Sequence, residues 1–346
     1  MHHPSSPAGE IFQKRLIATA KGRHGAKDMS REEAREALDF LISAEAHPAQ
    51  VGAFLTAMRF KGAKVEEMKG FLDAMEGSAT LISPKVEGLL NCNGPYDGRK
   101  NALHLGLAAA LVTSSAGVPV IMHCNTGLPP KYGVTTACVL EALGIPAYRQ
   151  PNQVARDIEE MGFGHLHASR YLHGVERLKP IRQTLFYRSF LHACEVMLNP
   201  AGAAFSLIGA AHVGFLERFA TAAGERGCQR VMAVQGVDGC DELPLQPISV
   251  VEYRDGELSQ YTLDPESYGI ACRETRPCVT AEATAEVIRA ALLEGDETHQ
   301  DAIVYNVAVR LYLSGRVDEI AQGIEQAREL IRSDVAGQKL RQLQQG

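Results

Sequence analysis

The chain of 346 residues lacks several features that mark specialised protein classes. It has no tryptophan, and none of its eight cysteines forms a C-x-x-C pair, so a structural zinc site is not expected. No run approaches about 18 uninterrupted apolar residues, and no secretion signal is recognisable, so the sequence predicts no contact with a membrane. These absences also disfavour a disulfide framework, and we expect a cytoplasmic protein.

A large excess of positive charge is also absent. Lysine and arginine total 35 and aspartate and glutamate total 41, which gives a net charge of −6. This balance argues against a protein that works mainly by covering duplex DNA, because such binding needs many cations to release counterions. The hydrophobic share of 45% and the charged share of 22% are typical of a globular protein, and the length predicts about two domains.

Helical patterns dominate the first eighty residues, where Ser30 and Glu33 form a capping-box start. After Pro84, short apolar runs alternate with segments of helix length, which indicates an α/β domain with a mainly parallel central sheet. We therefore predict a small α-helical N-terminal domain over residues 1–80. A large α/β domain with a helical C-terminal tail follows over residues 81–346.

Two loops after predicted strands are candidate binding sites, because ligands of α/β sheets bind at the carboxyl ends of the strands. The first loop combines glycines that permit close backbone approach with cations that suit a phosphate, namely Gly94, Asp97, Arg99 and Lys100. The second carries His123, Asn125 and Lys131 in a segment rich in glycine and proline. The alternatives are a solvated turn for the first loop and a structural role for His123 in the second.

An acidic loop follows a third predicted strand and holds Asp241 and Glu242. Adjacent carboxylates at a strand end suit Mg²⁺, particularly when substrate phosphates supply further oxygens, and the alternative is a solvated acidic turn. The most cationic stretch, residues 165–188, interleaves aromatic residues with Arg170, Arg177, Lys179, Arg182 and Arg188. This stretch suits a carboxylate, a phosphate or single-stranded nucleic acid, unless it is an ordinary charged helix surface.

Several segments resemble the anthranilate phosphoribosyltransferase branch of glycosyltransferase family 3, which is related to the nucleoside phosphorylases. They occur in the family's order and lie at residues 49–59, 116–125, 198–202 and 238–242. The resemblance runs from about residue 12 to residue 335. It implies a homodimer joined through the helical domains, with helices from about residues 168–195 packing on the small domain.

The resemblance also implies a reaction, the Mg²⁺-dependent transfer of phosphoribose from phosphoribosyl pyrophosphate to an aromatic amine. By position, Asp241 and Glu242 hold Mg²⁺, Asn125 faces the acceptor, and Arg188 pairs with the carboxylate of anthranilate. In this reading the metal neutralises the departing pyrophosphate while fixed donors hold the ribosyl group.

Departures from the family pattern leave the function open. Pro95 removes an N–H donor from the expected pyrophosphate loop, and His104 begins a segment that lacks both hydroxyls of the family's phosphate cradle. The string Tyr-Asp-Gly-Arg-Lys resembles the corresponding segment in a divergent second branch of this family. Because the acidic pair Asp241 and Glu242 survives, the sequence favours a transferase whose acceptor need not be anthranilate. The alternative is a non-catalytic paralogue that binds single-stranded nucleic acid or polyphosphate, and nucleoside phosphorolysis is a weaker third reading.

Overall fold

The computed structural model describes residues 6–22, 24–273 and 280–345. The α-helices are α1 (Pro7–Thr19), α2 (Arg31–Ile42), α3 (Pro48–Lys61), α4 (Val65–Gly77), α5 (Leu105–Ser115), α6 (Thr136–Leu143), α7 (Pro151–Met161), α8 (Ala168–Tyr171), α9 (His173–Glu176), α10 (Lys179–Leu185), α11 (Phe190–Glu195), α12 (Leu216–Gly224), α13 (Ala281–Arg289), α14 (Gln300–Leu313), α15 (Ile320–Arg332) and α16 (Val335–Gln345). The strands are β1 (Leu90–Cys92), β2 (Val120–Cys124), β3 (Phe163–His167), β4 (Phe205–Gly209), β5 (Arg230–Val234), β6 (Ile248–Arg254) and β7 (Glu257–Leu263).

The first compact unit is helical and contains the described residues up to Leu81 together with Leu128–Pro130 and Tyr171–Leu198. Its core is an aromatic cluster in which Phe190 of α11 lies 4.1 Å from Phe71 of α4, measured between ring centroids. Burial of such rings supplies much of the stability of a small helical unit. The helix starts follow the sequence pattern: the Ser30 hydroxyl accepts a hydrogen bond from the Glu33 N–H at 3.2 Å, as the capping box predicts.

The second unit is an α/β unit built on a seven-stranded sheet in the order β3-β2-β1-β4-β5-β6-β7. The five strands from β3 to β5 in that order are mutually parallel, whereas β6 and β7 are antiparallel additions at one edge. Cys92 pairs with Met122 on one side and with Leu207 on the other, which makes β1 a central strand. The predicted α/β fold with a small helical domain and a mainly parallel sheet is confirmed.

Apolar burial explains why these segments fold as they do. Strands β1, β2, β3 and β5 are buried along their whole length, as expected for parallel strands covered by helices on both faces. Because β1, β2 and β5 are parallel, the three loops singled out above leave the same edge of the sheet. In the described part of the chain, no helix combines the length and the apolar character that crossing a membrane requires. None of the described cysteines is joined in a disulfide, and Cys278 lies outside the described residues.

Candidate functional site

The loop after β1 is folded into the interior of the α/β unit. The side chains of Asp97, Arg99 and His104 are at most 2% exposed, and only Lys100 and its neighbour Asn101 reach the surface. A buried polar group destabilises the protein unless it forms a hydrogen bond or an ion pair with another protein group. The loop is therefore part of an internal polar network, and Lys100 lies outside that network.

Protein atoms also cover the glycine that was expected to approach a phosphate. A Cβ atom on Gly94 would stand 2.6 Å from Thr136 Oγ1 and 3.1 Å from Met122 Cε. Side chains of β2 and α6 therefore lie against Gly94, and a side chain at this position would collide with them.

The loops after β1 and β2 are joined through their backbones. The Arg99 N–H donates to the Val134 carbonyl at 2.8 Å, and the Val134 N–H donates to the Arg99 carbonyl at 2.9 Å. This close approach needs glycine, since a Cβ atom on Gly133 would stand 2.5 Å from the Arg99 carbonyl oxygen. The two loops therefore hold Arg99 in a fixed position.

The predicted residues of the second loop likewise include buried side chains and one that is partly exposed. His123 and Asn125 are fully buried, the former with its ring 5.6 Å from that of Tyr96 and the latter with its backbone N–H donating to the Tyr96 carbonyl at 3.0 Å. Lys131 is partly exposed, and its ammonium group donates to the Asp238 carbonyl at 2.8 Å. Lys131 consequently links the second loop to the acidic loop after β5.

The acidic pair is neutralised by two arginines of the same unit. Asp241 Oδ2 lies 3.1 Å from Arg310 Nη2, and Glu242 Oε2 lies 2.9 Å from Arg99 Nη1. The Gly106 N–H donates to the same oxygen of Glu242. All four charged residues are at most 2% exposed, so two negative and two positive charges balance inside the protein.

The protonation of these groups follows from their surroundings. Burial alone would raise the pKa of Glu242, but the Arg99 guanidinium outweighs burial and lowers this pKa to about 2. Burial lowers the pKa of His104, whose Nε2 lies 3.0 Å from Thr136 Oγ1. At neutral pH Glu242 is ionised and His104 is neutral, so Arg99 is the cation that compensates Glu242.

This arrangement does not fit the magnesium site expected at Asp241 and Glu242. Mg²⁺ demands an octahedron of oxygens at about 2.0–2.1 Å and retains several waters, whereas both carboxylates are dry and face guanidinium groups. Among residues 6–22, 24–273 and 280–345, the only three candidate metal ligands that lie together are Asp264, Glu266 and Cys272, elsewhere in the unit.

Arg310 on α14 is the residue of this network that the sequence analysis did not single out. Its Nη1 donates to the carbonyl and to the side-chain oxygen of Asn306, one turn earlier, at 3.0 Å each. Asn306 in turn exchanges two hydrogen bonds of 2.9 Å with the backbone of Leu243. Two polar residues four apart in an otherwise apolar helix were the available signal, because buried polar groups need partners.

The residues of the cationic stretch differ in exposure and in the unit to which they belong. Arg170 and Arg177 are exposed, on the α/β unit and the helical unit respectively, and Lys179 is partly buried, 3.7 Å from Glu176. Arg182 corrects the prediction: it is 4% exposed and forms a bidentate pair with Glu195, at 2.6 and 2.7 Å. Its guanidinium is already paired inside the helical unit and is therefore not available to bind nucleic acid.

Exposed aromatic rings mark another part of the helical unit. The side chains of Phe60 and Phe186 are 79% and 74% exposed. Their sequence neighbours are in contact, since the Arg59 guanidinium lies 5.1 Å from the centre of the Tyr187 ring. Arg59 also donates to the Arg188 carbonyl, which places Arg188 beside α3 of the helical unit. We call Arg59, Phe60, Phe186 and Tyr187 the aromatic–arginine patch.

The backbone at Phe186 is explained by the end of α10. Phe186 follows the last residue of that helix and ends it in the left-handed conformation, with a φ of 55°. This turn leaves the Phe186 ring in solvent.

Comparison with known proteins places the chain in a family. Two family profiles match it: a glycosyl transferase family helical bundle domain over residues 16–79, and a glycosyl transferase family a/b domain over residues 97–337. The anthranilate phosphoribosyltransferase of Methanocorpusculum labreanum is 35% identical over 322 residues, which are 91% of this chain and 93% of that protein.

Solved structures agree with this placement. Anthranilate phosphoribosyltransferase from Thermus thermophilus matches with a TM-score of 0.85 at 26% identity, over 96% of this chain and 98% of that one. The Saccharomyces cerevisiae enzyme in complex with PRPP and Mg has a TM-score of 0.81, over 98% of each chain, but at 19% identity it shows the fold alone. The predicted resemblance is confirmed, and the relatives support a phosphoribosyltransferase-like function. The chain belongs to the glycosyl transferase family of the anthranilate phosphoribosyltransferases.

Proposed function

We propose that this chain is a non-catalytic member of its family that binds single-stranded nucleic acid through the aromatic–arginine patch. The observation that carries the proposal is the exposure of Phe60 and Phe186 beside the paired Arg59 and Tyr187. Exposed rings stack on unpaired bases, and arginine adds both charge and a flat face for stacking. Exposed cations of the same helical unit, Arg177 among them, supply phosphate contacts in this proposal.

Two further observations support this reading. The net charge of −6 disfavours duplex binding but permits stacking of single strands, which needs fewer cations. The residues that resemble the family's metal pair, Asp241 and Glu242, are occupied by Arg310 and Arg99. A binding protein has no need of a free carboxylate pair, whereas a metal-dependent transferase does.

Fluorescence anisotropy with a labelled single-stranded oligonucleotide of about 16 nucleotides tests the proposal, because single-strand site sizes reach that length. We expect saturable binding that weakens steeply with salt. Phe186→Ala should weaken it through lost stacking, by about 1–3 kcal/mol. Arg177→Ala should lower the salt slope by about 0.7 for one lost phosphate contact.

Arg35→Ala is the matched control, because Arg35 is an exposed arginine of α2 in the same unit. Inorganic polyphosphate carries charge but no bases, so it separates the contribution of stacking from that of charge. Its affinity should be unchanged by Phe186→Ala and lowered by Arg177→Ala. Weak binding that does not depend on salt, or an equal effect of Arg35→Ala and Arg177→Ala, would contradict the proposal.

Phosphoribosyl transfer to an acceptor other than anthranilate is the second candidate. It is favoured by the 35% identity with an anthranilate phosphoribosyltransferase over nearly the whole chain. In this candidate Arg188 and Asn125 face the acceptor, and Lys131 meets the donor phosphates. It requires Arg99 to leave Glu242 before Mg²⁺ binds.

Calorimetric titration with phosphoribosyl pyrophosphate and Mg²⁺ distinguishes this candidate from the first. Turnover with any aromatic amine, abolished by Asp241→Asn, would establish the transferase. Failure to bind the donor at millimolar concentration would remove it.

The proposal includes assembly and location. We expect a homodimer joined through the helical unit, measurable by light scattering, and a cytoplasmic protein, which the free thiols of the described cysteines suit. The aromatic–arginine patch must lie outside the dimer interface, so a shift of the monomer–dimer equilibrium by Phe186→Ala without a loss of oligonucleotide affinity would contradict the proposal.

A further inference from the structure

We propose that Arg99 and Arg310 replace a divalent cation, so that the acidic pair after β5 is complete without metal. The positive charges of the two guanidinium groups sum to two, which is the charge of one Mg²⁺ ion. They lie on the carboxylates themselves, Arg310 at 3.1 Å from Asp241 and Arg99 at 2.9 Å from Glu242. The site is thus an internal quartet of charges with no net charge.

A metal ion at Glu242 would have to displace Arg99, and one that bridged both carboxylates would have to displace Arg310 as well. Each of the four residues is at most 2% exposed, so repulsion between a metal ion and the guanidinium groups is weakly screened. His104 Nδ1 lies 3.8 Å from Glu242 Oε2, but no set of three acidic, cysteine or histidine ligand atoms that includes Asp241 or Glu242 lies together among the described residues. Hard divalent cations need about six oxygen ligands, and buried carboxylates that already carry arginines offer few.

Both arginines are held where they are by their own elements. Arg310 donates to Asn306, and Asn306 clamps the backbone of Leu243 in the acidic loop. Arg99 donates to the Leu103 carbonyl at 2.6 Å, and its backbone is bonded to Val134 on both sides. Guanidinium groups fixed in this way are structural partners of the acids rather than mobile side chains.

Asp241 keeps one carboxylate oxygen outside its ion pair. Arg310 Nη2 lies 3.1 Å from Oδ2, whereas Oδ1 has no hydrogen-bond partner within the described residues.

Titration with Mn²⁺ followed by the electron paramagnetic resonance of the free ion tests the proposal on the full chain. The wild-type protein should leave the free-Mn²⁺ signal unchanged, and Mg²⁺ or a chelator should not move its melting temperature. Arg99→Met, which keeps the length of the stem and removes the charge, should reduce the free-Mn²⁺ signal in proportion to protein and gain thermal stability from the ion. Arg99→Lys, which keeps a cation, is the matched control and should bind no Mn²⁺.

Adding Glu242→Gln to Arg99→Met locates the gained site, since the double variant should lose it. Wild-type binding of Mn²⁺ that Asp241→Asn abolishes would overturn the proposal, and so would a folded Arg99→Met protein that binds none. If Arg99→Met does not fold, the wild-type titration and Arg99→Lys still decide the question. None of these measurements depends on the aromatic–arginine patch, so nucleic-acid binding stands or falls separately.

Discussion

Replacement of Glu242 by glutamine should destabilise the chain by about 3 kcal/mol at pH 7, in a way that depends on pH. The Arg99 pair lowers the pKa of Glu242 from 4.5 to about 2, although burial alone would raise it. At about 1.4 kcal/mol per pKa unit, this difference corresponds to about 3 kcal/mol of stability. An independent comparison agrees, since removing one partner of a buried pair costs about 3–5 kcal/mol.

The sign follows from the direction of the shift. A carboxylate whose pKa is lowered in the folded state contributes stability above its unfolded pKa of 4.5, and the contribution is lost as pH falls toward 2. The free energy of unfolding should therefore differ between wild type and Glu242→Gln by only about 1 kcal/mol at pH 3. Other carboxylates titrate in the same range, but they are common to both proteins and cancel.

Urea unfolding followed by circular dichroism at pH 7 and pH 3 measures this difference. Glu257→Gln is the control, because Glu257 is exposed on β7 and should show little effect at either pH. A difference below about 1 kcal/mol at pH 7, or one that stays constant down to pH 3, would refute the claim that Arg99 and Glu242 form a buried ion pair.

Two other substitutions test the packing of each unit. Gly133→Ala should lower the melting temperature and cost about 1–3 kcal/mol, because its Cβ atom would stand 2.5 Å from the Arg99 carbonyl oxygen, whereas Gly214→Ala meets no atom within 4 Å and should be neutral. Arg182→Met should cost about 3–5 kcal/mol because it leaves a buried carboxylate without its partner. Arg177→Met, on an exposed residue of the same stretch, should cost under about 0.5 kcal/mol, and equal effects of the two would show that Arg182 is not buried.

Local chemistry in the sequence is sufficient to predict most of the fold. The capping box at Ser30 places the start of α2, and the apolar runs after Pro84 mark the central strands. The edge strands are harder to recognise because edges need polar, exposed side chains. No apolar run marks β7, and the charge of the segment around β3 conceals a strand that is buried throughout.

The candidate site shows why function is harder to predict than fold. The acidic pair is visible in the sequence, but the partner of Asp241 lies 69 residues away in a helix with no motif. The partner of Arg182 is not recognisable in the sequence for the same reason, although this acid lies only 13 residues further along the chain. A run of charges says nothing about which members have buried partners, and those partners decide whether a charge can meet a ligand.

An anomalous difference map from crystals soaked in Mn²⁺ and phosphoribosyl pyrophosphate tests the central claim most directly. The account predicts no Mn²⁺ peak at Asp241 and Glu242, with the Arg310 and Arg99 guanidinium groups still on the two carboxylates. A peak bridging both carboxylates, with the guanidinium groups displaced, would contradict it and would return the chain to the metal-dependent transferases.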